Sequence, residues 1–428
     1  AIGDFFILIK RRIKKRRYSP LVFYPEITLI IPVYNSEQTF RQCIESIMES
    51  DYPKDKIDIL IVNNMTKDDS FSIFCQCQKD FPELHMNWLN AKQGKSRALN
   101  LALFNSNGKY IIHIDSDGVL ETSAIRNMVT MFENEDDVDC LTGTILTNPT
   151  QIDETRGFFK RFMQKLEFSE YCQAFLAGRN FQSELNSIFT LSGAFSAFRK
   201  SSILKSKLYN TDTVCEDTDV TFQIRDGMGK KISLCYNAIF FVDPIESLNK
   251  LYVQRQRWQS GELEVMHMFR KEKLHAARGF VSDFVTRVLM YDHTFAFPRM
   301  IWYFALICLA FINYPLKLVV LSTLFMYFLY AIANGLMYIC IIMFLKGFKD
   351  IRRYYMRKWY TVFILPFYNF VIFWFRFAGI INSIKGVQSW KTRTMTEEWH
   401  SFGQVIKKDF LGASEFLERL RNEVNNNE

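Results

Sequence analysis

KYIIHIDSDGVL, residues 109–120, ends an apolar run in two carboxylates one residue apart, Asp115 and Asp117. Side chains i and i+2 of a strand point to one face, so both acids share a side at the strand's end. Two readings fit. Asp, Ser and Gly favour turns, and a solvated turn would hold both acids without cost. Alternatively a cation sits between them, because like charges so placed repel when unpaired. The stretch alone favours the turn, and its surroundings favour the cation.

From about 27 to 146, apolar runs alternate with helical patterns. ITLIIPVYN, KIDILIVNN, MNWLNA, KYIIHID and VDCLTGTIL read as strands. SEQTFRQCIESIM, KSRALNLALF and SAIRNMVTMF read as helices between them. Short, nearly continuous apolar strands alternating with helices predict an α/β domain with a mostly parallel sheet. Such sheets bind ligands at the carboxyl ends of their strands. Tyr34-Asn35, Asn63-Asn64 and Asp115-Ser116-Asp117 all fall at strand ends and are expected to meet at one edge.

The 428 residues are 49% hydrophobic and 16% aromatic, with a formal charge of +8. That length admits more than one domain. The basic runs RRIKKRR at 11–17 and KGFKDIRRYYMRK at 346–358 each adjoin apolar stretches. This is the pattern of the cytoplasmic side of a membrane protein. It is unlike a nucleic-acid binder, whose charge lies on a soluble domain. AIGDFFILI, at the start, reads as the end of a membrane helix, and no signal peptide is expected. The nine cysteines show no metal-ligand spacing, so reduced thiols facing the cytosol are expected rather than structural zinc.

Residues 155–180 mix Phe, Leu and Met with cations at helical spacing, which fits a core helix or one on a membrane surface; the surface helix is the expectation. A similar stretch runs from about 264 to 292. Residues 297–345 are almost wholly apolar and long enough for two spans of ~20 residues, with NYPLK at 314–318 as the turn. WYTVFILPFYNFVIFWFRFAGIIN, about 359–382, is a third candidate. A single further crossing would put the basic tail on the wrong side; Pro366 and Asn369 could let this segment turn back as a hairpin or re-entrant element, and both a third span and a turn stay open.

Two further motifs carry chemistry. In VCEDTDVTFQI, Glu216, Asp217 and Asp219 crowd the start of a helical pattern. Capping and the helix dipole account for one or two of them. A general base that removes a proton from a hydroxyl accounts for Asp217. In QRQRWQSG, Gln254, Arg257 and Trp258 share one helix face, and Gly261 continues it. Arg257 could neutralise a diphosphate and Trp258 stack on a sugar. A Trp anchored at a membrane interface beside a snorkelling Arg is the plainer reading of the same face.

PVYN, the acids Asp115 and Asp117, SGAFSAFRK at 192–200, CED at 215–217 and QRQRW at 254–258 occur in that order. The chain thereby resembles the membrane-embedded, processive family 2 glycosyltransferases: the cellulose, hyaluronan, chitin and poly-N-acetylglucosamine synthases. The resemblance covers about 27–262 and continues more loosely into the membrane part. It implies a GT-A (Rossmann-like) α/β domain at 27–262 on the cytoplasmic face. A basic juxtamembrane segment at 1–26 would precede it. Interfacial helices at 263–296, a transmembrane region at 297–382 and a cytoplasmic tail at 383–428 would follow. It implies a multi-pass plasma-membrane protein, a UDP-sugar donor, inversion at the anomeric carbon, Mg²⁺ or Mn²⁺, and a glycan or lipid-linked acceptor in bacterial cell-surface polysaccharide synthesis. The layout also leaves room for a membrane partner subunit. No nucleic-acid partner is expected.

The resemblance also implies roles. Pro32, Val33 and Tyr34 would line the base pocket with Asn64, and Lys95 and Asp115 would lie near the nucleotide. Asp115 and Asp117 would serve the metal and diphosphate. Ser192, Gly193 and Ala194 would border the acceptor. Asp217, with Glu216 beside it, would be catalytic. Gln254, Arg257 and Trp258 would hold diphosphate and acceptor. One departure stands out: Asn63 and Asn64 occupy positions where the family usually carries two Asp. An amide oxygen can accept the uracil N–H without charge, and an amide can also donate, which admits another base. A catalytically weak pseudo-enzyme, kept as an assembly partner, is the alternative that this departure supports.

Overall fold

The structure is a computed structural model that describes residues 3, 5–7, 18–273, 296–312, 314–384 and 394–398. The basic run at 11–17, most of the second mixed stretch at 264–292 and nearly all of the basic tail lie outside the described residues.

Eight strands form one sheet: β1 (Ile27–Val33), β2 (Ile57–Asn63), β3 (His85–Asn90), β4 (Tyr110–Ile114), β5 (Gly118–Leu120), β6 (Val138–Thr147), β7 (Phe195–Arg199) and β8 (Lys231–Val242). Their order is β3-β2-β1-β4-β7-β6-β8-β5. Strands β1 to β4 run parallel, as expected. The other half is mixed: β7 is antiparallel to both β4 and β6, β8 is parallel to β6, and β5 is antiparallel to β8. Every residue of β1, β4 and β6 is buried, which is why these strands read as unbroken apolar runs.

The helices around the sheet are α1 (Phe40–Met48), α2 (Ser70–Asp80), α3 (Lys95–Asn105), α4 (Ala124–Asn134), α5 (Pro149–Glu154), α6 (Phe158–Tyr171), α7 (Arg179–Glu184), α8 (Lys200–Ile203), α9 (Glu216–Phe222) and α10 (Leu248–Lys273). A π-helical stretch, Cys172–Gly178, joins α6 to α7. The expected surface helix at 155–180 is largely interior. Leu166 to Tyr171 are buried, and only the first turn shows its apolar side chains, Phe158 and Phe159, to the outside. The side chains of Phe168 and Tyr171 complete the core beneath the sheet. All nine cysteines are free thiols.

Among the described residues four further helices follow: α11 (Ala296–Phe311), α12 (Leu316–Phe344), α13 (Lys349–Met356) and α14 (Thr361–Ile384). Two of them, α12 and α14, are long and apolar enough to cross a membrane. The far end of α12 joins the core beneath the sheet directly. Cys340, Ile341 and Phe344 are buried with Phe168 and Tyr171, and the Tyr354 ring meets Phe168 edge-on at 5.0 Å.

Segment 359–382 does not turn back at Pro366; α14 runs on through it. Proline leaves the carbonyl four residues earlier, that of Val362, without its helical donor. The Asn334 amide of α12 donates to this same carbonyl at 3.3 Å. The break expected from Pro366 is thus repaired by a side chain distant in sequence, which sequence periodicity does not show.

Candidate active site

The parallel half of the sheet sets the site. In register, Val33 pairs with Asn63, so Tyr34 and Asn64 emerge side by side at the carboxyl edge. Asn64 N–H donates to the Val33 carbonyl at 2.9 Å. Asp115 follows β4 directly, and its N–H donates to the Ala194 carbonyl at 3.1 Å. A buried contact of 2.7 Å between the Ser36 and Ser116 hydroxyls ties the turn after β1 to the turn between the acids. Pro32, Tyr34, Asn64, Lys95, Asp115 and Asp117 line one pocket of about 620 Å³. The three strand ends therefore converge as expected. Val33 differs: strand alternation turns its side chain into the core, while Pro32 and Tyr34 face the pocket. Glu246 and Lys250 also line the pocket, and no motif marked them.

Lys95, at the start of α3, joins this pocket to the CED turn. Its Nζ lies 2.5 Å from Asp115 Oδ1 and 3.8 Å from Glu216 Oε1, and it donates to the Gly193 carbonyl at 3.1 Å. Burial disfavours the ammonium charge, but Asp115 and Glu216 outweigh burial and raise its pKa. His113, on β4, supports the same carbonyl: its Nε2 lies 3.0 Å from Gly193 O. Burial, reinforced by Lys95, lowers the His113 pKa to about 4. The ring is therefore neutral, with Nε2–H donating to Gly193 and Nδ1 left to accept from Ser196 (3.3 Å) and Tyr209 (3.2 Å).

Asp217 stands against Gly193 so closely that a Cβ there would lie 2.9 Å from Asp217 Oδ2. Its other oxygen accepts from Thr218 N–H at 2.7 Å. Burial raises the pKa of both Glu216 and Asp217, and Lys95 opposes this in each. Burial and the Asp115 charge push the Asp117 carboxyl up to about 6. Lys95 and Arg179 thus face four carboxylates, an excess of negative charge that suits a cation. Among the described residues no cluster of three or more His, Cys, Asp or Glu is placed to hold a metal. Asp115 and Asp117 alone fit Mg²⁺ or Mn²⁺, which take one or two carboxylates and complete their shell with water and substrate phosphate.

The QRQRW motif lies on α10. A Cβ on Gly261 would meet Cys215 Sγ at 2.1 Å, so glycine lets the helix close on the CED turn. Burial raises the pKa of the Cys215 thiol in that turn, and the charge of Arg257 opposes this. Gln254 has a buried Oε1 with no hydrogen-bond partner among the described residues. Trp258 stands edge-on to Phe175 at 6.2 Å. The intervening residues leave this group: Arg255 pairs with Glu170 at 2.6 Å, and Gln256 donates to Glu398 at 3.2 Å. Arg179 was missed in the sequence. It donates to Ser192 Oγ and, at 3.1 Å, to Thr142 Oγ1, beside the turn that carries Gly193.

Asn63 and Asn64 are both engaged. Asn63 accepts from Thr66 N–H at 2.8 Å and donates to Asn90 Oδ1 at 2.9 Å. Asn64 Oδ1 accepts from Gly94 N–H at 2.6 Å, at the start of α3. A carboxylate at 63 could not donate to Asn90, so the amide belongs to this local ladder.

Residues 28–205 match the family Glycosyl transferase family 2. The chain is 24% identical over 291 residues to a poly-beta-1,6-N-acetyl-D-glucosamine synthase of Staphylococcus epidermidis, covering 66% of this chain and 63% of that protein. It is 26% identical over 267 residues to the probable glycosyltransferase YdaM of Bacillus subtilis, covering 62% and 61%. The chain thus spans about three-fifths of the length of these relatives. Its fold is that of the mannosyltransferase PcManGT from Pyrobaculum calidifontis, solved with GDP-Man and Mn²⁺. The TM-score is 0.57 and the identity 17%, over 89% of this chain and 94% of that one.

A mixed Rossmann-like sheet with acids gathered at its carboxyl edge is a GT-A fold. Residues 28–205 thus match the family 2 glycosyltransferase domain, and the chain is similar to the poly-N-acetylglucosamine synthases.

Proposed function

We propose that this chain is an active, inverting enzyme that moves a sugar from a UDP-sugar to a hydroxyl of a glycan or lipid-linked acceptor. It would do so at the cytoplasmic face of the plasma membrane, in bacterial surface-polysaccharide synthesis. The observation that carries this reading is Lys95. It binds Asp115 and reaches Glu216, joining into one site two acid motifs about a hundred residues apart. A complete acid set favours catalysis over the pseudo-enzyme.

Pro32, Tyr34 and Asn64 would seat the base, with Lys95 and Asp115 at the phosphates. Asp115 and Asp117 would hold Mg²⁺ or Mn²⁺, which when bound stabilises the negative charge of the departing diphosphate. Arg257 supplies positive charge to the same leaving group. Asp217 accepts the proton of the attacking hydroxyl, which Ser192, Gly193, Ala194, Gln254 and Trp258 orient. A poly-N-acetylglucosamine synthase among the relatives favours an N-acetylhexosamine donor and processive transfer.

The deciding experiment is donor turnover by the detergent-purified protein with UDP-, GDP- and dTDP-sugars, in Mg²⁺, Mn²⁺ or EDTA. Metal-dependent UDP release is expected. Release of GDP instead would assign a changed base preference to Asn64. Nucleotide binding without release from any donor, with acceptor oligosaccharide supplied, would overturn the enzyme reading.

Two substitutions extend this test. Asp117→Ala should weaken UDP binding at least ~10-fold in Mn²⁺ and leave binding in EDTA unchanged, as read by isothermal titration. Gly193→Ala forces Asp217 to move, because the new methyl would lie 2.9 Å from its Oδ2. A displacement of about 1 Å in a reacting group can cost ~10²-fold, so kcat should fall by that order while the melting temperature changes little.

A further inference from the structure

The loop after β8 and the first turn of α10 close one side of the pocket that holds Asp115 and Asp117, where Glu246 and Lys250 line it. The backbone of this segment is fixed by its neighbours. Gln164 of α6, a buried side chain, donates to the Ile245 carbonyl at 2.9 Å, and Ile245 N–H donates to the buried carboxylate of Glu167 at 2.9 Å. Asp243 accepts from Gln151 at 2.7 Å. Lys250 N–H donates to Ser247 Oγ at 3.2 Å, which secures the start of the helix. The two charged side chains are not held in this way. Lys250 Nζ lies 2.6 Å from Glu246 Oε2, four residues earlier, and the side chains are 60% and 65% exposed.

Helix register groups Lys250 with the motif that follows it. Lys250, Gln254, Arg257, Trp258 and Gly261 are spaced four, three, one and three residues apart, so they share one face of α10. Leu251 and Tyr252 turn instead into the cluster with Leu166 and Leu365. The local fold gives a lysine at 250 little reason to be there. A cation in the first turn opposes the helix dipole, and an exposed pair with Glu246 holds weakly. A residue that breaks a local rule without a structural gain points to function. Five carboxylates and two ammonium groups line the pocket. The Lys95 ammonium is already shared between Asp115, Glu216 and the Gly193 carbonyl. Among the described residues, Glu246 is the one acid that pairs with Lys250. An anion that enters so acidic a pocket needs positive charge, and Lys250 can supply it by releasing one exposed carboxylate.

We propose that Lys250 binds the diphosphate of the nucleotide-sugar, and that Glu246 is its counter-ion before the donor enters, exchanged then for a phosphate oxygen. The face of QRQRW thereby extends towards the start of α10, with Lys250 about 10 Å from Arg257 along the helix axis. A compact ammonium on a flexible stem suits such an exchange. No proton moves and no covalent bond changes. The freed Glu246 carboxylate faces water, so its charge is not left buried. The Lys250 hydrogen bond lowers the Glu246 pKa and Lys160 adds to it, so a second cation stays beside the carboxylate after the exchange.

The inference rests on reading this pocket as the donor site, and the test separates the two. The detergent-purified full chain is titrated calorimetrically in Mn²⁺ with UDP, or with GDP if turnover selects it, and Asp117→Ala is measured alongside. Lys250→Met should weaken binding about 10-fold, the scale of one hydrogen bond to a charged group, while Lys250→Arg keeps most of the affinity. Glu246→Gln should act in the opposite direction and tighten binding about threefold, because an exposed ion pair no longer competes. The double variant Glu246→Gln/Lys250→Met should bind like Lys250→Met alone. Both side chains are exposed, so melting temperatures should stay close to that of the unsubstituted chain. Weakening by Asp117→Ala without weakening by Lys250→Met overturns the inference and leaves the donor site standing. Weakening by Glu246→Gln as large as by Lys250→Met overturns it too, because the pair would then be a structural clip. Binding unaltered by both Asp117→Ala and Lys250→Met, or absent from the unsubstituted chain, would sink the donor-site reading together with it.

Discussion

Asp217→Asn is expected to cut kcat by about 10²–10⁴-fold, the range for loss of a general base, while UDP binding stays within about twofold. The amide keeps the shape that fits against Gly193 and can still accept from Thr218, so the fold has no reason to change. It cannot take a proton. The pH dependence carries a sign. Burial raises the Asp217 pKa, and only the ionised carboxylate acts as base. The rate therefore rises with pH through an inflection above the usual carboxylate range. Lys95 favours the ionised forms of Asp217 and Glu216. Lys95→Met should move the inflection to still higher pH as well as lower the plateau, as read from kcat against pH at saturating donor. Undiminished transfer by Asp217→Asn would remove this residue as the base.

Strands β1, β2 and β4 of the parallel half were legible because they are buried on both faces or nearly so, leaving period and composition intact. Helix α2 was hidden by its composition: Ser70, Phe74 and Cys77 form its buried stripe, and serine and cysteine give little helical signal. Strand β7 was read as a motif, SGAFSAFRK, before it was seen as a strand, and its antiparallel insertion between β4 and β6 depends on pairing that no local pattern encodes. The acids were legible because several carboxylates at the ends of apolar runs conflict with plain folding. Their partners were not. Lys95 was placed only near the nucleotide; its link from Asp115 to Glu216 is tertiary. His113 reads as one more strand residue until its two ring nitrogens are seen between Gly193 and Tyr209. The same holds for Arg179, whose fork reaches Ser192 across the fold.

The largest effect on stability is expected at Arg255, the QRQRW residue that turns away from Gln254, Arg257 and Trp258. Its guanidinium is 2.6 Å from Glu170 Oε2, with side chains 1% and 4% exposed. It also lies over the Trp258 ring, 4.5 Å from the centroid. Glu170 accepts from the Tyr368 hydroxyl of α14 at 3.1 Å as well. One buried pair therefore fastens α6, α10 and α14 together and supports the face of Trp258. Removing one partner leaves the other charge buried without a counter-ion, which costs about 3–5 kcal/mol. Arg255→Met should accordingly lower the melting temperature in detergent sharply and weaken elongation through Trp258. The double variant Arg255→Met/Glu170→Met should recover most of the lost stability, because an ion pair replaced by apolar groups of similar volume is often neutral. Activity should recover less, since methionine supplies no cation to the indole. Stability and activity restored together would assign Arg255 to packing alone. Recovery of stability without activity would show that the helix carrying QRQRW needs this buried cation to orient its tryptophan.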